Sequence, residues 1–151
     1  MKTICVFGAS GRTGYQFIKL AHKKYNIVSI VRSKKSAQKV QKYSTPLVGN
    51  SFNDDFVKSS IKGVDVVISF LGHNSKSDPK MQTKITKNII SAMKSHGIKR
   101  IITLTGTGVR IKNDIVPFYD KLGNMVITKI DPERIKDGVA HVNLITDSDL
   151  D

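Results

Sequence analysis

Five short, near-continuous apolar runs, at Thr3–Phe7, Asn26–Val31, Thr45–Val48, Val64–Leu71 and Ile98–Leu104, alternate with stretches whose apolar residues recur at helical spacing. A run of this length without polar alternation fits a strand buried on both faces. Such strands, interleaved with amphipathic helices, predict an α/β architecture: a doubly wound parallel sheet with helices on both faces and right-handed crossovers. Gly14, Phe17, Ile18 and Ala21 mark the first helix, which extends to about Lys24, and Ser36 to Tyr43 the second. Asn53 can cap a third helix that carries Asp54 and Asp55 in its first turn and Val57 and Ile61 on one face, with Gly63 as its stop. Ile85, Ile89 and Met93 give the fourth its apolar face, up to Gly97. Asp131-Pro132-Glu133 opens a last helix with Ile135, Val139 and Val142 on one side. At 151 residues the chain is expected to form one domain over 1–151.

Thr3–Phe7 runs directly into V-F-G-A-S-G-R-T-G, which sets glycines at 8, 11 and 14 between the first strand and the first helix. The first glycine permits a sharp turn, the second lets backbone approach a pyrophosphate, and the third allows close packing of helix on strand. The spacing is GxxGxxG, one residue longer than the usual GxGxxG. Free amides at the start of this helix, its dipole, and the hydroxyls of Ser10 and Thr13 are suited to hold phosphates. The end of the second strand bears on the choice of dinucleotide. An acidic residue there would bind a ribose 2′-hydroxyl and repel a 2′-phosphate. The sequence instead reads Val31-Arg32-Ser33-Lys34-Lys35, with Arg32 18 positions after Gly14. A guanidinium grips phosphate in a bidentate fork, so NADP is expected over NAD.

Charge narrows the partners less sharply. There are 25 Lys and Arg against 12 Asp and Glu, a net +13, with Lys23, Lys24, Lys34, Lys35, Lys39 and Lys42 gathered in the first third. The resulting field favours anions without naming one. No long basic tract interleaved with aromatic residues is present, so nucleic acid is not the expected partner. No apolar run approaches the roughly 18 residues needed to span a bilayer, so a membrane is not expected either, and the chain reads as cytoplasmic. The lone Cys5 reads as a small buried hydrophobe in a reducing compartment. His22, His73, His96 and His141 lack ligand spacing, so no metal site is expected. His73, in the polar loop after the fourth strand, reads as a solvated loop residue, with reach to the substrate side as the alternative.

The glycine turn, V-R-S after strand two, G-V-D-V-V-I-S-F-L-G, and N-I-I-S-A-M-K-S-H-G-I-K-R-I-I-T-L-T-G-T-G together resemble the NAD(P)H-binding branch of the atypical short-chain dehydrogenase/reductases, the group of NmrA-like proteins and biliverdin IXβ/flavin reductase. The resemblance covers nearly the whole chain and implies a Rossmann-like fold. It further implies that Gly8, Ser10, Gly11, Arg12 and Thr13 surround the phosphates and that Arg32 and Ser33 meet the adenosine 2′ position. Phe70, Leu71 and Gly72 would line the cofactor's path. Relatives often carry Gly-Asp after strand three, where this chain has Gly49-Asn50, so adenine contact would come from Asn50 or Ser51. Thr105 stands where relatives commonly have a serine near the nicotinamide, and is the expected catalytic or orienting hydroxyl. The closing T-D-S-D-L-D resembles the point that leads into a further strand in longer relatives.

The Tyr-x-x-x-Lys pair used by better-known short-chain dehydrogenases to exchange a proton has no counterpart here: Tyr119 is followed by Lys121, and Gly123 holds the fourth position. The expected activity is therefore NADPH-dependent reduction of an easily reduced small molecule, such as a flavin or quinone, with catalysis supplied mainly by placement. The rival expectation is a non-catalytic NADP-binding redox sensor or regulatory protein of NmrA-like type.

Overall fold

A computed structural model describes residues 1–73, 77–106, 109 and 131–151. Five strands and five helices alternate through these residues: β1 (Thr3–Phe7), α1 (Arg12–Ala21), β2 (Asn26–Val31), α2 (Lys34–Val40), β3 (Thr45–Val48), α3 (Asp54–Ser60), β4 (Val66–Ser69), α4 (Met81–His96), β5 (Arg100–Thr103) and α5 (Pro132–Thr146). The strands form one parallel sheet in the order β3-β2-β1-β4-β5. The doubly wound, Rossmann-like α/β architecture expected from the apolar runs is the one observed. Chain progression reverses between β1 and β4, and the glycine turn leaves β1 at that switch point, where parallel sheets open a crevice at their carboxyl ends.

Two cores flank the sheet because successive strand side chains point to opposite faces. Cys5 and Phe7 pack with Val57, Ile61, Ile85, Ile89 and Met93 beneath α3 and α4. Ile4 and Val6 pack with Ile18, Ala21 and Val40 beneath α1 and α2. The apolar stripes anticipated on the first, third and fourth helices therefore face the sheet. Asn53 caps α3 by accepting from the Phe56 amide at 2.8 Å, and Gly97 closes α4 with φ +68°, a conformation that favours glycine.

Five elements depart from expectation. The hydrogen-bonded ladders of β4 and β5 are shorter than their apolar runs, because Val64 and Ile98 are buried by packing before the strands begin. Helix α1 ends at Ala21, three residues before Lys24. Helix α2 starts earlier than Ser36 and stops before Tyr43, since the Ser33 hydroxyl accepts from the Ser36 amide at 3.2 Å and so caps the helix. On α5 the buried residues are Asp137, Gly138, His141 and Val142, while Ile135 and Val139 are half-buried. The helix is rotated from its expected face because its buried polar side chains find partners, as described below. Along the far edge of β5, the Asp151 amide donates to Lys99 and the Ile101 amide to Asp151, at 2.8 and 2.9 Å, a parallel bridge opposite Arg100.

Candidate functional site

The turn after β1 is built by close backbone approach. Gly8 has φ +74°, and a Cβ there would lie 2.9 Å from the Phe70 carbonyl carbon and oxygen. A Cβ on Gly14 would collide with the Gly8 carbonyl and come within 2.9 Å of Ala9 Cα. Gly11 is less constrained, at 3.2 Å from the Gly8 oxygen, and its amide closes the turn onto that oxygen at 3.0 Å. Gly11 also serves as the N-cap of α1 without a side-chain cap, and the first turn holds no acidic residue. The leading amides of α1 are thus left for an outside acceptor, with the positive end of the helix dipole behind them. This cradle fits a diphosphate.

One cleft of about 300 Å³ opens over the turn. Gly8, Ser10 and Gly11 form its middle, Arg32 with Asn50 and Ser51 one end, and Phe70, Leu71 and Gly72 the other. A second, of about 470 Å³, shares residues 70–72 and continues past Thr13 to His73, Gln82, Thr105 and Arg134. The two together run from the end of β2 to the end of β5, across the turn. Of the expected site residues, Gly8, Ser10, Gly11, Thr13, Arg32, Asn50, Ser51, Phe70, Leu71, Gly72 and Thr105 all border one cleft or the other. Arg12, Gly14 and Ser33 do not. Arg12 is exposed on α1, Gly14 packs inward, and Ser33 spends its hydroxyl on α2. Tyr119, Lys121 and Gly123 lie outside the described residues.

Several contributors were not singled out by sequence. Lys39 reaches across from α2 so that its Nζ donates to the Ser10 carbonyl at 2.7 Å and sits 4.8 Å from the Tyr15 ring centroid, bracing the glycine turn. Asn88 on α4 donates to the Ser51 and Phe52 carbonyls at 3.1 and 3.0 Å, which fixes the loop beside the Arg32 end of the first cleft. His73 is the clearest correction. Its side chain is 5% exposed, and its Nε2 lies 2.8 Å from Asp137 Oδ2, so it is not a solvated loop residue. Asp137 meanwhile accepts from the Gln82 and Thr83 amides at 2.8 and 3.0 Å, so a carboxylate on α5 caps α4, whose own N-cap residue, Lys80, provides none. A carboxylate at a helix N-terminus is favourably placed against the dipole.

One turn further along α5, His141 is 2% exposed and bridges the hydroxyls of Thr86 on α4 and Thr103 on β5 at 2.7 and 2.8 Å. Burial pushes this imidazole below its ordinary pKa, opposed by the negative charge of Asp137. Cys5 is buried, and burial pushes its thiol up to about 12, so it stays protonated and unreactive. Among the described residues, no group of three His, Cys, Asp or Glu side chains is placed to hold a metal, and no helix is long and apolar enough to cross a membrane.

The model of an NAD(P)H-binding family matches residues 8–151, which begin at the first glycine of the turn and take in both clefts. The chain belongs to this NAD(P)H-binding family. Structural likeness to solved proteins is broad and sequence identity low. The anaerobilin reductase ChuY of Escherichia coli O157:H7 is 16% identical, with a TM-score of 0.76 over 99% of this chain and 69% of that one. A short-chain dehydrogenase/reductase of Veillonella parvula DSM 2008, solved in complex with NADP, is 15% identical, with a TM-score of 0.74 over 99% and 65%. An NAD-dependent epimerase/dehydratase of Bacillus halodurans, so described provisionally, is 18% identical, with a TM-score of 0.75 over 100% and 67%. This chain spans about two thirds of each. The match of family and fold agrees with the resemblance to atypical short-chain reductases drawn from the glycine turn and the strand-five segment.

Proposed function

We propose that the protein is an NADPH-dependent oxidoreductase acting on an easily reduced small molecule of the flavin or quinone type, in the cytoplasm. The observation that carries the reading is the continuity of the two clefts through residues 70–72, with a phosphate cradle in the middle of the first and Arg32 at one end. Bound reduced nicotinamide would supply hydride. Gly8, Gly11 and the leading amides of α1 would hold the diphosphate, with the hydroxyls of Ser10 and Thr13 beside it. Arg32 would pair with the 2′-phosphate, and Asn50 or Ser51 would meet the adenine. Residues 70–72 would direct the rest of the cofactor into the larger cleft, where Thr105 would orient the carboxamide or a carbonyl of the acceptor. The NADP complex of the Veillonella protein supports the choice of cofactor by analogy.

Titration with NADPH and NADH tests this reading. Arg32→Glu should weaken NADPH by 1.4 kcal/mol or more, about tenfold, and leave NADH nearly unchanged. Equal losses for both would remove the 2′-phosphate assignment. Nucleotide oxidation assayed with flavin and naphthoquinone acceptors tests the activity. Tight NADPH binding without turnover would favour the redox-sensor reading, which the missing Tyr-x-x-x-Lys pair keeps open.

A further inference from the structure

His73 and Asp137 form a buried pair in the wall of the larger cleft, and the cofactor cradle makes no use of it. Both Asp137 oxygens are engaged: Oδ2 by His73 Nε2 and the Gln82 amide, each at 2.8 Å, and Oδ1 by the Thr83 amide at 3.0 Å. A carboxylate only accepts, so Nε2 must carry its hydrogen in this pair. That sets the ring's tautomer and makes Nδ1 the nitrogen at which His73 gains or loses a proton. The cap on α4 needs only the carboxylate and two amides. The imidazole is an addition to it, and His73 borders the same cleft as Thr105 and Arg134.

The geometry points to His73 as the proton donor to the acceptor in this cleft, with Asp137 as its positioning residue. This rests on the oxidoreductase reading and specifies its missing acid–base group. For a quinone acceptor the step balances as follows. The quinone takes a hydride from the reduced nicotinamide, whose C4–H bond breaks, and becomes a hydroquinone monoanion. The Nδ1–H bond of protonated His73 then breaks, and the proton goes to the anionic oxygen. The neutral ring is reprotonated by water. The sum is NADPH, a proton and quinone giving NADP⁺ and hydroquinone. Among the described residues, the ionisable groups that pair with His73 or share its cleft are Asp137 and Arg134 of α5, with His141 one turn beyond. Arg134 is itself engaged by Asp131 at 3.1 Å, while the described cleft residues Gln82 of α4 and Thr105 beyond β5 are uncharged.

Two readouts on the full chain test this, with NADPH and menadione as probes. In the first, wild-type kcat should fall toward alkaline pH as Nδ1 loses its proton. His73→Gln should lower kcat by about 100-fold and erase that limb, with NADPH affinity unchanged. Asp137→Asn, which removes the counter-charge, should move the limb to lower pH. In the second, ring ¹⁵N shifts of the wild-type protein without nucleotide should show the Nε2–H tautomer of His73 once the ring is neutral. An Nδ1–H or mixed tautomer overturns the proposal, and so does a wild-type pH profile surviving in His73→Gln; in both cases the oxidoreductase reading stands. Wild-type protein that binds NADPH but never oxidises it with menadione or a flavin overturns both together.

Discussion

Replacing Asp137 by alanine removes the acceptor for three donors at once: the Gln82 and Thr83 amides, at 2.8 and 3.0 Å, and His73 Nε2, at 2.8 Å. Asp137 is 3% exposed, so water does not readily take its place. Each buried donor left without a partner costs about 1–3 kcal/mol. Some rehydration of the first turn of α4 lowers a simple sum of these terms, so a loss of about 3–5 kcal/mol is expected. In a domain of this size that corresponds to a fall in Tm of roughly 6–20 °C. Thermal melts followed by circular dichroism, with urea unfolding at 25 °C for the free energy, measure it directly. Asp78→Ala is the control. Asp78 also sits near the start of α4 and binds Lys84 Nζ at 2.6 Å, but on the surface, with that pair 35% and 51% exposed. Its loss should hardly move the melt. A change in Asp137→Ala no larger than in this control would refute the argument that the buried carboxylate holds α4 and α5 together.

Two further perturbations have defined outcomes. His141 is buried with its pKa lowered, so the folded state prefers the neutral ring. The stabilisation is complete above the unfolded value, near 6.5, and is lost as pH falls through that value toward the lower folded one; His141→Asn should flatten the decline in urea midpoint over that window, and an identical slope would sink the assignment. Gly14→Ala should cost about 1–3 kcal/mol and weaken nucleotide binding, because the added methyl meets only backbone, whereas Gly11→Ala should cost less. Melting temperatures of the two variants in the reverse order would contradict that ranking.

Much of the fold was legible because its signals are local. The apolar runs marked each strand to within a few residues, and Asn53 and Gly97 marked a helix start and a helix end, since period and capping are set by neighbours in the chain. The glycine turn was legible for the same reason. Ser33 shows what a local reading omits: its place after strand two suggested a ligand contact, and its hydroxyl also accepts from the Ser36 amide, three residues on, to cap α2. The burial of His73 could not be read from its loop. Its partner lies 64 residues away on another helix. One trace was present in the sequence, a last helix in which Asp137 and His141 fall four apart beside Gly138 and Val142. Two polar residues on one turn-spaced face signal a buried pair only if each finds a partner, and periodicity does not reveal partners.

The order of residues was enough to specify a parallel α/β sheet and the bend that leaves helix amides unpaired over its crevice, because strands, crossovers and tight turns are governed by steric rules acting over a few residues. Only folding decided which polar side chains would meet across helices: that Asp137 would cap α4, hold His73 in the cleft wall, and stand near a neutral His141. Those contacts depend on rotation of α5 about its axis. The rotation is set by burial and hydrogen bonding summed over distant segments, and no local pattern encodes it.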